Sequence, residues 1–317
     1  MRSLMLGLLA SVAVGCGAAR SASLTQDYSS FLVLGDSLSD NGNLYAATGG
    51  TQPQSPPYFD GRFSDGPVWN EAILAEFAAA GLPAANRAFG GARAVSNPAP
   101  GAGGDIVPDL EEQSALLIGR AGAALAAGGR DAVSVWFGAN DAFAAIGAAD
   151  QDARLDAAAA RLVDGIGALG AAGAETVLVF TLPDLGRVPR YALGAPDLAP
   201  LATEATARFN GALTAGLAGL ESPEVRIVEA APVFDTLLSS DLEGRIPCFL
   251  PVTGDALCDD PDERVFFDAV HPSERVHGVI EAEARRALAP APVPIPAGGI
   301  LLVTGLGLLA GLRRFRR

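Results

Sequence analysis

Two residue types are scarce enough in this chain to constrain its chemistry. The only histidines are His271 and His277, and all 22 basic residues are arginine. Without lysine, a Schiff-base mechanism, a Walker-type phosphate site and a lysine general base are all excluded. A hydroxyl nucleophile needs a nearby base, and one of the two histidines must then supply it. His271 stands in Phe266-Phe267-Asp268-Ala269-Val270-His271-Pro272-Ser273, with a carboxylate one turn before it and a helical pattern starting at Ser273 after it. That spacing brings Asp268 to one ring nitrogen and leaves the other facing outward. His277 lies inside the helical pattern, in step with Ile280 and Ala284, and is read as packing. The two histidines make a poor metal-ligand set, and neither a metal nor a cofactor is expected.

The hydroxyl candidate is Ser37 in Gly35-Asp36-Ser37-Leu38-Ser39-Asp40-Asn41, directly after the apolar run Ser30 to Gly35. A serine after a strand is on its own more often a turn or cap residue. The Gly-x-Ser-x-Gly elbow of the α/β-hydrolases is absent, so that fold receives no support. Donors for a developing oxyanion are offered twice, by the backbone of Phe89-Gly90-Gly91-Ala92 and by the carboxamide in Phe137-Gly138-Ala139-Asn140-Asp141. Each could be an ordinary glycine turn; their placement after successive strands favours a site. Asp36, Asp40 and Asp141 are read as turn and cap hydrogen-bonding groups.

These residues need strands to end beside one another. The runs Ser30 to Gly35, Ala132 to Gly138 and Glu175 to Phe180 are continuously apolar and end in Gly, Asn, Asp or Pro, the pattern of buried parallel strands. Ala85 to Phe89 and Arg226 to Glu229 are shorter candidates. Helical patterns fall between or after them, near Trp69 to Ala80, Val107 to Ala127, Gln151 to Ala171, Leu201 to Leu220 and Ser273 to Leu288. This alternation predicts a three-layer α/β/α sandwich around a mostly parallel sheet, with the site at the C-terminal strand ends. The segment Asn41 to Gly66, rich in Gly, Pro, Ser and Tyr, is expected to be a long surface loop.

In that order, the blocks strongly resemble the SGNH or GDSL family of serine esterases and lipases. Gly35-Asp36-Ser37-Leu38 followed by Ser39-Asp40-Asn41-Gly42-Asn43 is the form of its lipase-like branch, and Gly61 to Glu71 looks like that branch's next segment. Asn86 to Ala92, Gly138 to Asp141, Thr181 to Pro189 and Asp268 to Ser273 follow in the family's order. The resemblance implies a flavodoxin-like fold and a carboxylic ester hydrolase working through an acyl-enzyme. It implies Ser37 as nucleophile, His271 as base and then acid, and Asp268 as its orienting partner. The Ser37 and Gly91 amides and the Asn140 side chain would form the oxyanion hole. The expected partner is an ester substrate, whether lipid, acylated small molecule or glycan. Tyr45, Tyr58, Phe59, Phe63 and Trp69 could line an acyl site or merely pack the long loop. The alternatives are a polysaccharide O-acetyl esterase and a surface adhesion or structural protein that has lost turnover.

Of the 317 residues, half are apolar and the net charge is −14. Arg2, Arg20, Arg313, Arg314, Arg316 and Arg317 lie at the ends; without them 16 basic groups face 36 acidic ones, for a net −20. Such a surface repels nucleic acid, which is not an expected partner.

The ends themselves read as addresses. Residues 1–22 resemble a secretory signal peptide, with Ala13-Val14-Gly15-Cys16 as a degenerate lipoprotein-type alternative. Residues 23–288 form the expected hydrolase domain and 289–296 a proline-rich linker. Residues 297–317 combine an apolar stretch, read as a transmembrane helix, with a terminal arginine cluster. Val293-Pro294-Ile295-Pro296-Ala297 ahead of that stretch looks like the VPLPA type of the PEP-CTERM sorting signals. It implies export to the surface of a Gram-negative bacterium and a membrane-embedded processing enzyme as partner. Cys248 and Cys258 are close enough in a turn-rich stretch to close a disulfide in an oxidising compartment; two unrelated buried thiols are the alternative.

Overall fold

The computed structural model describes residues 23–96, 106–125, 130–240, 246–249 and 257–290. Five parallel strands form the sheet: β1 (Ser30–Gly35), β2 (Ala84–Asn86), β3 (Asp131–Trp136), β4 (Thr176–Phe180) and β5 (Glu224–Val228), in the order β2-β1-β3-β4-β5. The helices are α1 (Asn43–Ala47), α2 (Glu71–Ala79), α3 (Leu110–Leu125), α4 (Ala139–Ala145), α5 (Gln151–Ala171), α6 (Pro189–Ala192), α7 (Ala199–Leu217), α8 (Ala230–Leu238) and α9 (Glu274–Leu288). Helices α3, α5 and α7 pack together on one face of the sheet, and α2, α8 and α9 lie on the other. The expected α/β/α sandwich is therefore the observed fold.

Every residue of β1, β3 and β4 is buried, as their unbroken apolar runs require. The edge strand β5 alternates in polarity and is largely accessible. Trp136 stacks on Phe180 at 4.5 Å, and Trp69 reaches Phe180 at 4.7 Å, filling the space between sheet and helices beneath the strand ends. Each such side chain contributes about 2–3 kcal/mol through its removal from water.

The strand order sets the location of the site. The chain leaves β1 toward β2 on one side and returns to β3 on the other, so a crevice opens at the C-terminal ends of β1 and β3. Gly35 and Trp136 are in register there, and the chain continues directly into the Ser37 and Asn140 segments.

Three helices, α4, α6 and α8, were not legible as periodic stretches. They are short, and α8 carries Pro232 in its first turn, where the missing N–H costs nothing. The long loop after Asn41 also holds the single-turn α1. One expectation is corrected: among the described residues no helix is long and apolar enough to cross a membrane. Segment 297–317, on which the transmembrane helix was placed, lies outside the described residues, as do the signal-peptide segment 1–22 and the Val293 to Ala297 motif.

Candidate active site

Ser37 is held by a tight turn at the end of β1. The Asp36 carbonyl accepts from the Ser39 and Asp40 amides at 3.0 Å each, and Asp36 Oδ1 accepts from Leu38 N at 3.0 Å. A side chain at Gly35 would press on Ser39 and the Trp136 carbonyl, so only glycine lets the turn close against β3. Ser39 fixes the turn from below: its hydroxyl accepts from Trp69 Nε1, and its carbonyl from the Asn70 and Asn86 carboxamides.

Ser37 Oγ lies 2.8 Å from His271 Nε2, and His271 Nδ1 lies 2.7 Å from Asp268 Oδ2. The bend that brings Asp268 under His271 is closed by Phe267 N donating to the His271 carbonyl at 2.8 Å. Asp268 Oδ1 accepts from the Val270 and His271 amides, at 2.8 and 2.7 Å. Burial alone would push the Asp268 carboxyl up. The charge of His271 and the donors from His271, Tyr58 and Val270 outweigh it and hold the carboxyl below its ordinary range. It therefore stays ionised, fixing the histidine tautomer with a proton on Nδ1 and leaving Nε2 free to accept the serine proton.

The donors are assembled by two carboxylates. Asp40 accepts from the amides of Gly42, Asn43 and Leu44 and, with Oδ2, from Gly90 N at 2.8 Å, tying the serine turn to the glycine pair. Asp141 accepts from Ala94 N and Val95 N, tying the next stretch to α4. Asn140 Nδ2 donates one hydrogen to the Ala92 carbonyl at 3.0 Å, which sets the carboxamide plane. Gly91 has φ +85°, and neither its amide nor that of Ser37 donates to any atom of the described residues. Gly138, with φ +115°, begins α4 where any side chain would overlap the Phe209 ring. The arrangement presents a hydroxyl on a poised base beside uncommitted N–H donors, the parts required for acyl transfer.

Ser37, Gly91, Asn140 and His271 share a cavity of about 600 Å³. Its walls are mostly apolar, including Leu44, Phe63, Phe143, Leu185, Val188 and Phe234. Of the five aromatics near the first block, only Phe63 lines it; its ring also lies on His271 at 4.9 Å. Trp69 belongs to the core. His277 is buried as well, accepting from Trp69 N at 3.4 Å, and burial pushes it down to about 3, so it is neutral. Among the described residues no group of three His, Cys, Asp or Glu side chains is placed to hold a metal ion.

Tyr58, read from the sequence as one of five aromatics that line an acyl site or pack the long loop, has a role beside Asp268 that sequence reasoning missed. Its hydroxyl donates to Asp268 Oδ2 at 2.5 Å from within a cluster with Phe63, Phe249 and Phe267. Phe249 is held in place because Cys248 and Cys258 are disulfide-bonded, and Phe249 N donates to the Phe267 carbonyl at 2.7 Å.

A strand-end serine relayed through a histidine to a carboxylate at the C-terminal edge of a parallel sheet is the arrangement of parts that the SGNH-type resemblance implies. The family model described as GDSL-like Lipase/Acylhydrolase matches residues 31–283, and the chain belongs to that family. A phosphatidylcholine-sterol acyltransferase of Aeromonas hydrophila is 36% identical over 168 residues, covering 51% of this chain and 47% of that protein. The chain thus spans about half the length of that curated relative. Among solved structures, a mutant of an acetyl-xylooligosaccharide esterase from a Geobacillus species has a TM-score of 0.46 at 14% identity, covering 84% of this chain and 97% of the other. A catalytic mutant of an acetylxylan esterase from Geobacillus stearothermophilus gives 0.46 at 13%, covering 83% and 95%.

Proposed function

We propose that Ser37 attacks the carbonyl carbon of an ester while His271 Nε2 takes its proton, and that the resulting imidazolium is stabilised by Asp268. The oxyanion is received by the amides of Ser37 and Gly91 and by the second hydrogen of Asn140 Nδ2. His271 returns the proton to the leaving alcohol, and water then hydrolyses the acyl-enzyme by the same path in reverse. The observation that carries this reading is the continuous relay of 2.8 and 2.7 Å from Ser37 through His271 to Asp268, opening on a cavity.

The substrate reading favoured by that cavity is an acyl ester with a chain of several carbons, since its volume and apolar walls far exceed what an acetyl group fills. The Ser39-Asp40-Asn41 continuation and the Gly61 to Glu71 segment support the lipase-like branch, and the Aeromonas relative is named for a lipid acyl donor. The second reading is release of O-acetyl groups from a polysaccharide, the type of activity for which the Geobacillus esterases are named. Export is part of the proposal: 1–22 as signal peptide, 23–288 as the hydrolase domain, and the tail, with its Val293 to Ala297 motif, as a sorting signal read by a processing enzyme. The Cys248–Cys258 disulfide supports an oxidising destination.

A fluorophosphonate probe tests the reaction: a covalent adduct at Ser37, absent from Ser37→Ala, is expected, and no adduct in oxidised protein would overturn it. Relative kcat/KM on p-nitrophenyl acetate, hexanoate and decanoate, set against acetate release from acetylated xylan, separates the two substrates.

A further inference from the structure

The imidazole of His271 has both ring nitrogens engaged in its own plane, Nε2 with Ser37 and Nδ1 with Asp268, so any further group must act on it through a face of the ring. Phe63 stands on such a face: the ring centroids are 4.9 Å apart and the planes are inclined by 34°. Only 13% of the His271 side chain is accessible, so water screens little of a charge formed there. Neighbouring groups fix the phenyl ring in this position. It fills the space that a side chain at Gly90 would need, since a Cβ there would come within 2.2 Å of the ring. Gly90 has no positive φ, so the Phe63 ring and Leu44, rather than the backbone, require a glycine beside the Gly91 donor. The next residue, Ser64, donates from its hydroxyl to the carbonyl of Pro272, directly after His271, at 3.3 Å. Tyr58 meets the ring in a T-shaped contact at 6.0 Å. Ring and base are thus joined twice, by direct contact and through Ser64.

When the imidazole takes up the serine proton it becomes a cation, and the charge spreads over the ring whose face Phe63 covers. An aromatic face carries negative potential and attracts a cation within about 6 Å, most strongly where water is excluded. We propose that Phe63 is a positioning residue with an electrostatic part in the reaction: its ring holds the imidazole and stabilises the imidazolium that forms as Ser37 gives up its proton. This rests on the reading that His271 is the base of an ester hydrolysis at Ser37. The other ionisable groups around His271 are Asp268 on its own turn, Tyr58 behind that carboxylate, Asp36 before the nucleophile, His277 on α9, and Arg93 and Arg190 in the cavity wall. None of them is altered when Phe63 is replaced, so a difference from the native protein reports the ring.

The hydrolysis needs His271 neutral at the start, so kcat/KM climbs with pH as the imidazole loses its proton. A ring that favours the imidazolium delays that climb, whereas a ring that only keeps water from it advances the climb. The two roles therefore predict opposite shifts. The measurement is kcat/KM on p-nitrophenyl hexanoate against pH for the native protein, for Phe63→Leu, and for protein carrying a ring-fluorinated phenylalanine at position 63, which keeps the shape and weakens the face. In Phe63→Leu the climb is expected about 0.5 to 1 pH unit lower and its upper plateau about threefold to tenfold lower, both reporting the same lost attraction. The fluorinated ring is expected to move both in the same direction, and it answers the question even where Phe63→Leu fails to fold. A climb that stays in place or moves to higher pH with the fluorinated ring overturns the proposal. Failure of the ester-hydrolysis reading is seen separately, as a native protein that takes up no fluorophosphonate probe at Ser37; a labelled native protein with an unmoved climb condemns only the role of the ring.

Discussion

Tyr58 and Asp268 lie 210 positions apart in the chain and meet in a hydrogen bond of 2.5 Å, on the same carboxylate oxygen that receives His271 Nδ1. The tyrosine is no proton donor in the reaction, because burial and the adjoining carboxylate push its phenol far above the ordinary range. It orients the carboxylate and does not itself line the cavity. Tyr58→Phe should therefore lower kcat about tenfold, the effect of one hydrogen bond to a charged group, and leave KM nearly unchanged. Unaltered kcat in the folded variant would show that the Val270 and His271 amides suffice to hold Asp268.

Asn140→Ala removes one oxyanion donor and leaves the relay from Ser37 to Asp268 untouched. A fall in kcat of about 10²–10³-fold, with little change in KM, is expected in steady-state kinetics. A rise in KM alone would place Asn140 in ground-state binding instead.

Two buried groups pull stability in opposite directions with pH. Burial raises Asp36 to about 7, so between about 4 and 7 the folded protein holds a proton that the unfolded chain has released, and stability falls as pH rises. Burial lowers His277 to about 3, so between about 3 and 6.5 the unfolded chain holds the extra proton, and stability rises with pH. Over the shared window the slopes offset each other. Asp36→Asn removes one of them, and denaturant unfolding should then show stability climbing from pH 4 to 6.5 by roughly 1 kcal/mol per pH unit. A flat profile in the variant would mean that His277 does not titrate in that range.

The disulfide ties the segment that presents Phe249 to Tyr58 and Phe267. Replacing both cysteines with serine should cost roughly 2–3 kcal/mol in stability. Activity should fall at temperatures where circular dichroism still reports a native fold, because the cluster over Asp268 loosens first. Activity and melting curves that shift together would sink this local coupling.

The relay was legible in the sequence because its parts are written in local signals. An apolar run stops at Gly35, a carboxylate stands one turn before His271, and glycines mark the turns at Gly91 and Gly138. Tyr58 was not, because its loop has no period and its partner lies across the chain; nothing near it in sequence separates a phenol that packs from one that holds a carboxylate. The cavity walls were missed for the same reason. Phe143 and Phe234 come from α4 and α8, short helices whose role is fixed by tertiary packing rather than by pattern. Conversely, Tyr45, Phe59 and Trp69, close to the serine in sequence, lie away from the cavity. The resemblance of the blocks carried the family assignment, and propensity alone could not have done so.

Asp40 gives the reaction centre a separable design. Its carboxylate fastens the serine turn and the Gly90 amide together, while much of the apolar cavity wall comes from elsewhere, including Phe143 of α4, Phe234 of α8 and Phe63. The part that holds the nucleophile and the outer walls of the cavity are thus largely separate. Wall residues such as Phe143 and Phe234 can be exchanged to retune chain length without disturbing the spacing between nucleophile and oxyanion donor, which makes this scaffold one whose substrate range can drift while its chemistry stays fixed.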